Sequence, residues 1–326
     1  MTKYNILILN AGRRVELVEC FKNAREALGI TGKIFAGDCS DTAPAIYFAD
    51  QYHKLPRIGE TNYIKTIINL CNSHDIRLIV PTIDHDLLLL AKEKENIEKN
   101  TSAIVMISKI ESIKICRDKI RTQKFLESNG FKMPRLYTAT EINEDAIKFP
   151  LFIKPKTGSS SINAFKIIDK NELALYRKVI PDPIIQEYVE GEEYTVDTLL
   201  DFNGNAITIV PRLRMATRSG EISKGKIVKD HEIINDVKKL MKVLNLIGCT
   251  TTQLKKTSNG IQYIEINPRL GGGAPMSIES GADSCRNLYR ILMGEKLMYN
   301  EDYRDGLTFL RFDNSICLDE SMERIK

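Results

Sequence analysis

A carboxylate, an amide and a guanidinium follow one another at two-residue spacing in a strand-like run of this chain. Residues 261–273 read Ile-Gln-Tyr-Ile-Glu-Ile-Asn-Pro-Arg-Leu-Gly-Gly-Gly. Since side chains alternate across a strand, Glu265 and Asn267 should share one face and offer the hard oxygen ligands that Mg2+ prefers. Pro268 cannot donate to a sheet and should end the strand. The sequence therefore places Arg269, a fixed cation, beside a predicted metal site.

The alternation also makes predictions for the neighbouring side chains. Tyr263 should lie on the oxygen-bearing face, and Ile264 and Ile266 should point into the core.

A hairpin could add a third oxygen atom to this face. Ser258-Asn259-Gly260 is a turn signal between two strand-like runs. If these three residues form the loop, Gln253 lies opposite Glu265. A two-residue Asn-Gly turn would place Gln253 opposite Ile266, and the cluster would not form. The alternative for Gln253 is the polar solvent face of an ordinary hairpin.

Gln253 followed by Glu265-x-Asn267-x-Arg269 resembles the metal and phosphate signature of the ATP-grasp superfamily, in particular its carbamoyl-phosphate-synthase-like carboxylate-amine ligases. The resemblance implies that Glu265 and Asn267 bind Mg2+, or Mn2+ as the alternative metal, at the phosphates of ATP. It makes Gln253 a further ligand, although the family is usually more acidic there. Arg269 would stabilise the transferred phosphoryl group. The expected catalytic residues are Arg269, Lys154 and Arg214.

A second part of the resemblance concerns the nucleotide phosphates. Lys119 matches a lysine that commonly reaches these phosphates in the family. The run Phe149–Lys156 ends in two cations, and the small, flexible loop 157–163 follows it. Such a loop can offer N–H and hydroxyl donors to phosphates, although a Gly/Ser loop by itself is a common turn. The implied nucleotide ligands here are Lys119, Lys154, Lys156, Gly158, Ser159 and Ser160.

The segment 184–196, Ile-Ile-Gln-Glu-Tyr-Val-Glu-Gly-Glu-Glu-Tyr-Thr-Val, resembles the family's hinge strand. By that resemblance, Glu187 and the backbone near Val189 contact the adenine edge, and Glu193 binds the ribose hydroxyls. The alternative for the glutamate run is a charged surface turn.

Arginines outside these motifs suggest an anionic substrate. Arg212 and Arg214 alternate onto one face at the end of the predicted strand 206–210, and Arg218 follows in a turn. Arg13 or Arg14 could bind a carboxylate in a bidentate fork, and solvated surface arginines are the alternative. The roles of Asp84 and His85 stay open.

The pattern of predicted strands and helices indicates an α/β protein, and the resemblance implies that its lid is of the α+β type. Residues 1–113 alternate apolar strand-like runs with helical patterns, which favours a Rossmann-like parallel sheet. The single Gly12 after the first strand argues against a dinucleotide fingerprint. By resemblance, a lid subdomain with a linker helix covers residues 114–189, and a C-terminal ATP-grasp subdomain with the metal site covers residues 190–326.

Composition excludes several classes of function. The chain has 326 residues, 47 Lys and Arg against 43 Asp and Glu, and interspersed charges, which argues against nucleic acid as a partner. The seven scattered cysteines and four histidines show no zinc spacing. We find no apolar run long enough for a membrane span and no signal peptide, so the expectation is a cytoplasmic protein.

The predicted activity is ATP-dependent ligation of a small carboxylate to an amine through an acyl phosphate, with release of ADP and phosphate. The alternatives are a non-catalytic ATP-binding module and an NAD-linked dehydrogenase. A homodimer is expected from the family.

Overall fold

The amino-terminal third of the chain forms a parallel sheet, as predicted. The computed structural model describes residues 3–144, 146–157 and 162–325. Five strands pair in the order β3-β2-β1-β4-β5, all parallel. Their buried apolar runs explain why helices cover the sheet. The elements are β1 (Asn5–Leu9), α1 (Val15–Ala27), β2 (Ile34–Asp38), β3 (Gln51–Lys54), α2 (Tyr63–His74), β4 (Ile76–Pro81), α3 (Leu87–Asn100) and β5 (Ile104–Val105).

Two helices and a small sheet follow. The helices are α4 (Ile110–Arg117) and α5 (Lys119–Ser128). Asp118 caps α5 by accepting from the N–H groups of Ile120 and Arg121. The three-stranded antiparallel sheet has the order β7-β6-β8. Its elements are α6 (Ala139–Asn143), β6 (Leu151–Pro155), β7 (Phe165–Ile167), α7 (Lys170–Val179) and β8 (Pro183–Glu187).

The remaining residues build a six-stranded antiparallel sheet of order β13-β12-β9-β10-β11-β14, and a short hairpin, β15 with β16. Strand β10 runs through Pro211 to Arg218, so the expectation of a strand that ends at residue 210 is wrong. The elements are β9 (Glu192–Leu200), β10 (Ala206–Arg218), β11 (Glu221–Ile227), α8 (His231–Leu244), β12 (Gly248–Thr257), β13 (Gly260–Asn267), α9 (Ala274–Glu279), α10 (Ser284–Leu292), β14 (Thr308–Leu310), β15 (Cys317–Leu318) and β16 (Arg324–Ile325).

The hairpin β12–β13 forms the expected cross-strand pair of Gln253 and Glu265, but with a shorter turn and a bulge. Its turn has two residues, because Thr257 pairs with Gly260, and this register alone would place Gln253 opposite Ile264. A bulge at Ile264 shifts the register so that Gln253 lies opposite Glu265. The sequence predicted this pair from a three-residue loop, which is wrong.

The same bulge reverses two orientations. Tyr263, expected beside Glu265, is fully buried, and its hydroxyl donates to Asp236. Ile264, expected in the core, is only partly buried and lines a cleft. Strict alternation fails here because two residues of β13 face one residue of β12.

The amino-terminal sheet and the carboxy-terminal segment share one core. Phe21 of α1 meets Tyr289 of α10 edge to face, with ring centroids 6.1 Å apart. Residues of α9 and β12 belong to the same buried cluster. This packing fixes the ends of the parallel strands beside the loop that follows β13. None of the helices in the described residues is long and apolar enough to cross a membrane.

Candidate functional site

Three adjoining cavities lie between the sheets. The lysine cavity, of about 160 Å3, is lined by Lys119, Lys154 and Lys255 together with residues of strand β8. The arginine cavity, of about 100 Å3, is lined by Arg14, Arg212, Arg214 and Arg269. The outer cavity, of about 50 Å3, is lined by Arg13, Arg14, Glu16, Glu221 and Arg311. The lysine and arginine cavities share Gln253 and Glu265 as a common wall.

A buried lysine, Lys154, and a partly buried one, Lys119, lie near Glu265 in the lysine cavity. Lys154 is 7% exposed, and burial lowers its pKa to about 8; Glu265 opposes this shift and Lys119 adds to it. Burial also lowers the pKa of Lys119, again against the attraction of Glu265. Two desolvated cations beside one carboxylate leave an excess of positive charge. A polyanionic ligand would neutralise this charge.

The hinge side of the lysine cavity combines apolar and polar groups. Phe152, Ile162 and Ile264 line it together with Glu187 and Val189. One carboxylate oxygen of Glu187 accepts from the backbone N–H of Arg135 at 3.0 Å. The Val189 carbonyl accepts from Lys255 Nζ at 2.8 Å. An apolar slot edged by a carboxylate and exposed backbone is suited to a flat, polar-edged ring.

Glu193 joins Gln253 through a hydrogen bond and Arg214 through an ion pair. Gln253 Nε2 donates to Glu193 Oε1 at 2.7 Å, and Arg214 Nε lies 2.8 Å from the same oxygen. Arg214 also donates to the Thr195 hydroxyl and to the Gly220 carbonyl. Glu193 therefore fixes Arg214 at the arginine cavity while lining the lysine cavity.

The predicted metal ligands fit an ion that arrives with phosphate. Asn267 Nδ2 lies 2.9 Å from Glu265 Oε1, so the carboxylate and the amide are neighbours. Within the described ranges, no group of three His, Cys, Asp or Glu side chains could hold a metal ion by itself. Mg2+ is commonly held by one or two carboxylates plus substrate phosphates. The residues Glu265, Asn267 and Gln253 match that pattern better than a resident metal site.

Tight ion pairs hold the guanidinium groups of the arginine cavity. Arg212 is 1% exposed, and its Nε donates to Asp197 at 2.7 Å. Arg269 donates to Asp84 at 2.8 Å, and Asp84 is 3% exposed. Each pair leaves further N–H groups on the guanidinium, which has five donors. The arrangement can bind a small carboxylate or a phosphoryl group.

The structure places some predicted residues away from these cavities. Lys156 lies 4.0 Å from Asp118 at the start of α5. Arg218 forms a bidentate pair with Asp313. Arg13, by contrast, lines the outer cavity, and its guanidinium lies 3.5 Å from Asp313. His85 is exposed. Gly158, Ser159 and Ser160 lie outside the described residues.

Sequence reasoning did not assign a role to several residues that shape the site. Asp84 follows β4 and holds Arg269, a contact across 185 positions. Asp197 of β9 holds Arg212. The sequence feature that could have indicated Asp197 is a carboxylate between apolar residues and threonines of a strand. Lys255, Glu221 and Arg311 also line the cavities.

Two family models match this chain. Residues 6–106 match the PylC-like N-terminal domain. Residues 179–312 match "ATP-grasp in the biosynthetic pathway with Ter operon". The chain therefore carries one segment similar to a PylC-like N-terminal domain and one similar to an ATP-grasp domain. This confirms the resemblance drawn from Glu265-x-Asn267-x-Arg269.

Curated relatives agree with this family. The chain is 36% identical to a D-alanine–D-alanine ligase of Fusobacterium nucleatum over 96 residues, which covers 29% of this chain and 31% of the relative. It is 22% identical to a carbamoyl-phosphate synthase of Methanobrevibacter smithii over 144 residues, which covers 43% of this chain and 39% of the relative. The aligned parts span roughly a third of the length of these relatives.

Solved structures confirm the predicted fold class. The biotin carboxylase domain of Hydrogenobacter thermophilus 2-oxoglutarate carboxylase, in complex with MgADP, ADP and bicarbonate, superimposes with a TM-score of 0.73 at 16% identity. The match covers 94% of this chain and 74% of that one. The chain therefore shares its α/β fold with that biotin carboxylase domain.

Proposed function

We propose that this ATP-grasp protein is an ATP-dependent carboxylate-amine ligase. A substrate carboxylate oxygen attacks the γ-phosphorus of ATP, the bond to ADP breaks, and an acyl phosphate forms. An amine then attacks the acyl carbon, phosphate leaves, the nitrogen loses a proton, and an amide remains. The observation that supports this reaction best is the common wall between the two larger cavities, where Glu265 stands between lysines and arginines.

The chain's own residues would bind and orient the reactants. Lys119 and Lys154 would contact the phosphates of ATP, and Glu187, Val189 and Glu193 would contact its nucleoside. Glu265 and Asn267, with Gln253 beside them, would hold Mg2+, which neutralises phosphate charge when bound. Arg269 and Arg214 would hold the carboxylate in line and stabilise the developing charge. We also propose that the domain boundaries lie between residues 113 and 114 and between residues 189 and 190.

Thermal unfolding tests the nucleotide half of this proposal without knowledge of the substrate. A ligand at about 100 times its Kd stabilises the folded state by roughly 2.7 kcal/mol. We expect MgATP to raise the melting temperature, and ATP with a chelator or NAD to raise it far less. Stabilisation by NAD and not by MgATP would contradict the proposal. Stabilisation by MgATP without ADP release, across a panel of carboxylates and amines, would favour a non-catalytic ATP-binding module.

The affinity for MgATP should depend on the protonation of Lys154. Its pKa is lowered to about 8 by burial, and bound phosphates favour the ammonium form. Binding should therefore take up a proton near and above pH 8, and the affinity should fall as the pH rises through that value. Calorimetry of MgATP binding in two buffers of different ionisation enthalpy measures the uptake. Lys154→Met should bind more weakly and take up fewer protons, whereas equal uptake in both proteins would contradict the assignment.

A further inference from the structure

The outer cavity adjoins the arginine cavity at the end away from the lysine cavity. It shares Arg14, Glu221, Gly271 and Gly272 with the arginine cavity, whereas the lysine cavity meets the arginine cavity at Gln253 and Glu265. In the proposed reaction, ADP and the transferred phosphoryl group would occupy the lysine side. An amine that attacks the acyl carbon must therefore approach from the other side, where the outer cavity lies.

The ion pairs of the outer cavity are looser than those of the arginine cavity. Glu221 lies 3.4 Å from Arg14 Nη1 and 3.4 Å from Arg311 Nη1. Arg311 Nη2 lies 3.3 Å from Glu16. By contrast, the carboxylate contacts of Arg212, Arg214 and Arg269 measure 2.7–2.8 Å. The loosely paired groups can therefore form further short, charge-assisted hydrogen bonds with a ligand, in which the carboxylates accept and the guanidinium groups donate.

Charges of both signs face the outer cavity. Glu221 is half-exposed; burial raises its pKa, but Arg14 and Arg311 outweigh this effect, and the net pKa is lowered. It is therefore ionised near neutral pH and can bind an ammonium group. Arg311 and Arg13 lie at the same cavity and can bind a carboxylate. A ligand with both groups would complete both sets of contacts at once.

Gly272 lets this cluster form. A Cβ atom at this position would lie 2.2 Å from Arg14 Nη1 and 3.0 Å from Glu221 Oε1. The guanidinium of Arg14 and the carboxylate of Glu221 therefore lie directly against backbone, at the boundary between the two cavities. A bulkier residue would displace one of them.

We propose that the amine substrate is an amino acid, bound in the outer cavity with its ammonium group on Glu221 and its carboxylate on Arg311 and Arg13. This inference rests on the proposed ligase function and specifies its second substrate. A simple amine, or ammonia, would lack the carboxylate that Arg311 and Arg13 bind and should react more slowly.

Trapping with hydroxylamine separates the two steps of the reaction. The wild-type protein is incubated with MgATP, a panel of small carboxylic acids, and hydroxylamine, a small neutral nucleophile that converts an acyl phosphate into a hydroxamate. With an acid that yields hydroxamate, glycine and alanine are then compared with methylamine and ethylamine, which lack the carboxylate. Amide products are identified by mass. We expect amides from the amino acids and at least about tenfold less from the matched amines.

Variants test the assigned contacts. Arg311→Gln and Glu221→Gln should each lower the ratio of amide to hydroxamate by about tenfold, and Arg311→Lys should restore part of it. Arg290→Gln, in an exposed pair with Glu295 on α10, is the control and should leave the ratio unchanged. Equal use of ethylamine and alanine, or an unchanged ratio in Arg311→Gln, would overturn the inference while leaving the ligase function intact. Absence of hydroxamate from every acid would overturn the ligase function itself and the inference with it.

Discussion

Replacement of Glu265 with alanine should lower ATP-dependent product formation by at least two to three orders of magnitude, roughly the loss seen when a group that stabilises transition-state charge is removed. Glu265 is the one carboxylate of the predicted metal set, and it lies in the common wall of the lysine and arginine cavities. Without it, Mg2+ would have amide ligands only. ADP release at saturating MgATP measures the loss.

The same substitution should also remove the stabilisation by MgATP in thermal unfolding. Glu265 attracts both Lys119 and Lys154, so its loss leaves these partly or fully buried lysines with less compensating charge. Their ammonium forms become less favourable, which weakens phosphate binding further.

A second variant distinguishes loss of charge from loss of packing. Glu265→Gln keeps the size of the side chain and an oxygen that can accept from Asn267 Nδ2. We expect it to lose activity nearly as severely as Glu265→Ala, with a melting temperature close to wild type in the absence of ligand. Glu232→Gln, an exposed change on α8, is the matched control for activity. Near-normal turnover of Glu265→Gln would contradict the metal assignment.

Local patterns were sufficient to predict most of the elements that carry the site. The apolar runs 6–9 and 77–80 predict β1 and β4, and apolar spacing over residues 15–28 predicts α1, each within about one residue of the observed bounds. The apolar stripe over residues 231–244 predicts α8 with the bounds observed, His231–Leu244. These signals are local, since each element's periodicity reflects which of its own faces is buried. The edge strand β3 was missed because its residues alternate between partly buried and exposed positions and include few strong β-formers.

The hairpin shows where local reasoning reaches its limit. The turn residues predicted a hairpin, and the cross-strand pair Gln253–Glu265 forms. The bulge at Ile264, however, has no clear sequence signal, because it is set by how β13 packs between α8 and the cleft. Its consequences, a buried Tyr263 and an Ile264 in the lysine cavity, could not be read from alternation.

Ion pairs between residues far apart in the chain were also not predicted from the sequence. Arg269 was predicted from its motif, but its partner Asp84 lies in the loop that follows β4 of the amino-terminal sheet. The pair depends on the shared core of α1 and α10, which sets the distance between the two regions. Because charge pairing across 185 residues leaves no periodic trace, sequence alone gave the arginine and not the residue that orients it.

Asp197→Ala should destabilise the fold by about 3–5 kcal/mol, because it leaves the buried guanidinium of Arg212 without its ion partner. Arg212 is 1% exposed. Asp197 also accepts from Ser277 at 2.6 Å and from Thr251 at 3.4 Å, so three polar groups lose their shared acceptor. A typical domain is stable by only about 5–15 kcal/mol, and this loss would therefore be a large part of the total. Urea unfolding of the purified protein measures the change in the free energy of unfolding.

Two comparisons show whether the cost arises from the unpaired charge. Asp197→Leu combined with Arg212→Met removes both charges, and it should be more stable than Asp197→Ala although it carries two changes, since apolar replacements of a buried pair are often tolerated. Glu295→Ala breaks the more exposed pair with Arg290 and should cost less than about 1 kcal/mol. If Asp197→Ala were no more costly than Glu295→Ala, Arg212 would have to be solvated or paired elsewhere, and the arginine cavity would be held together by contacts other than the Asp197 pair.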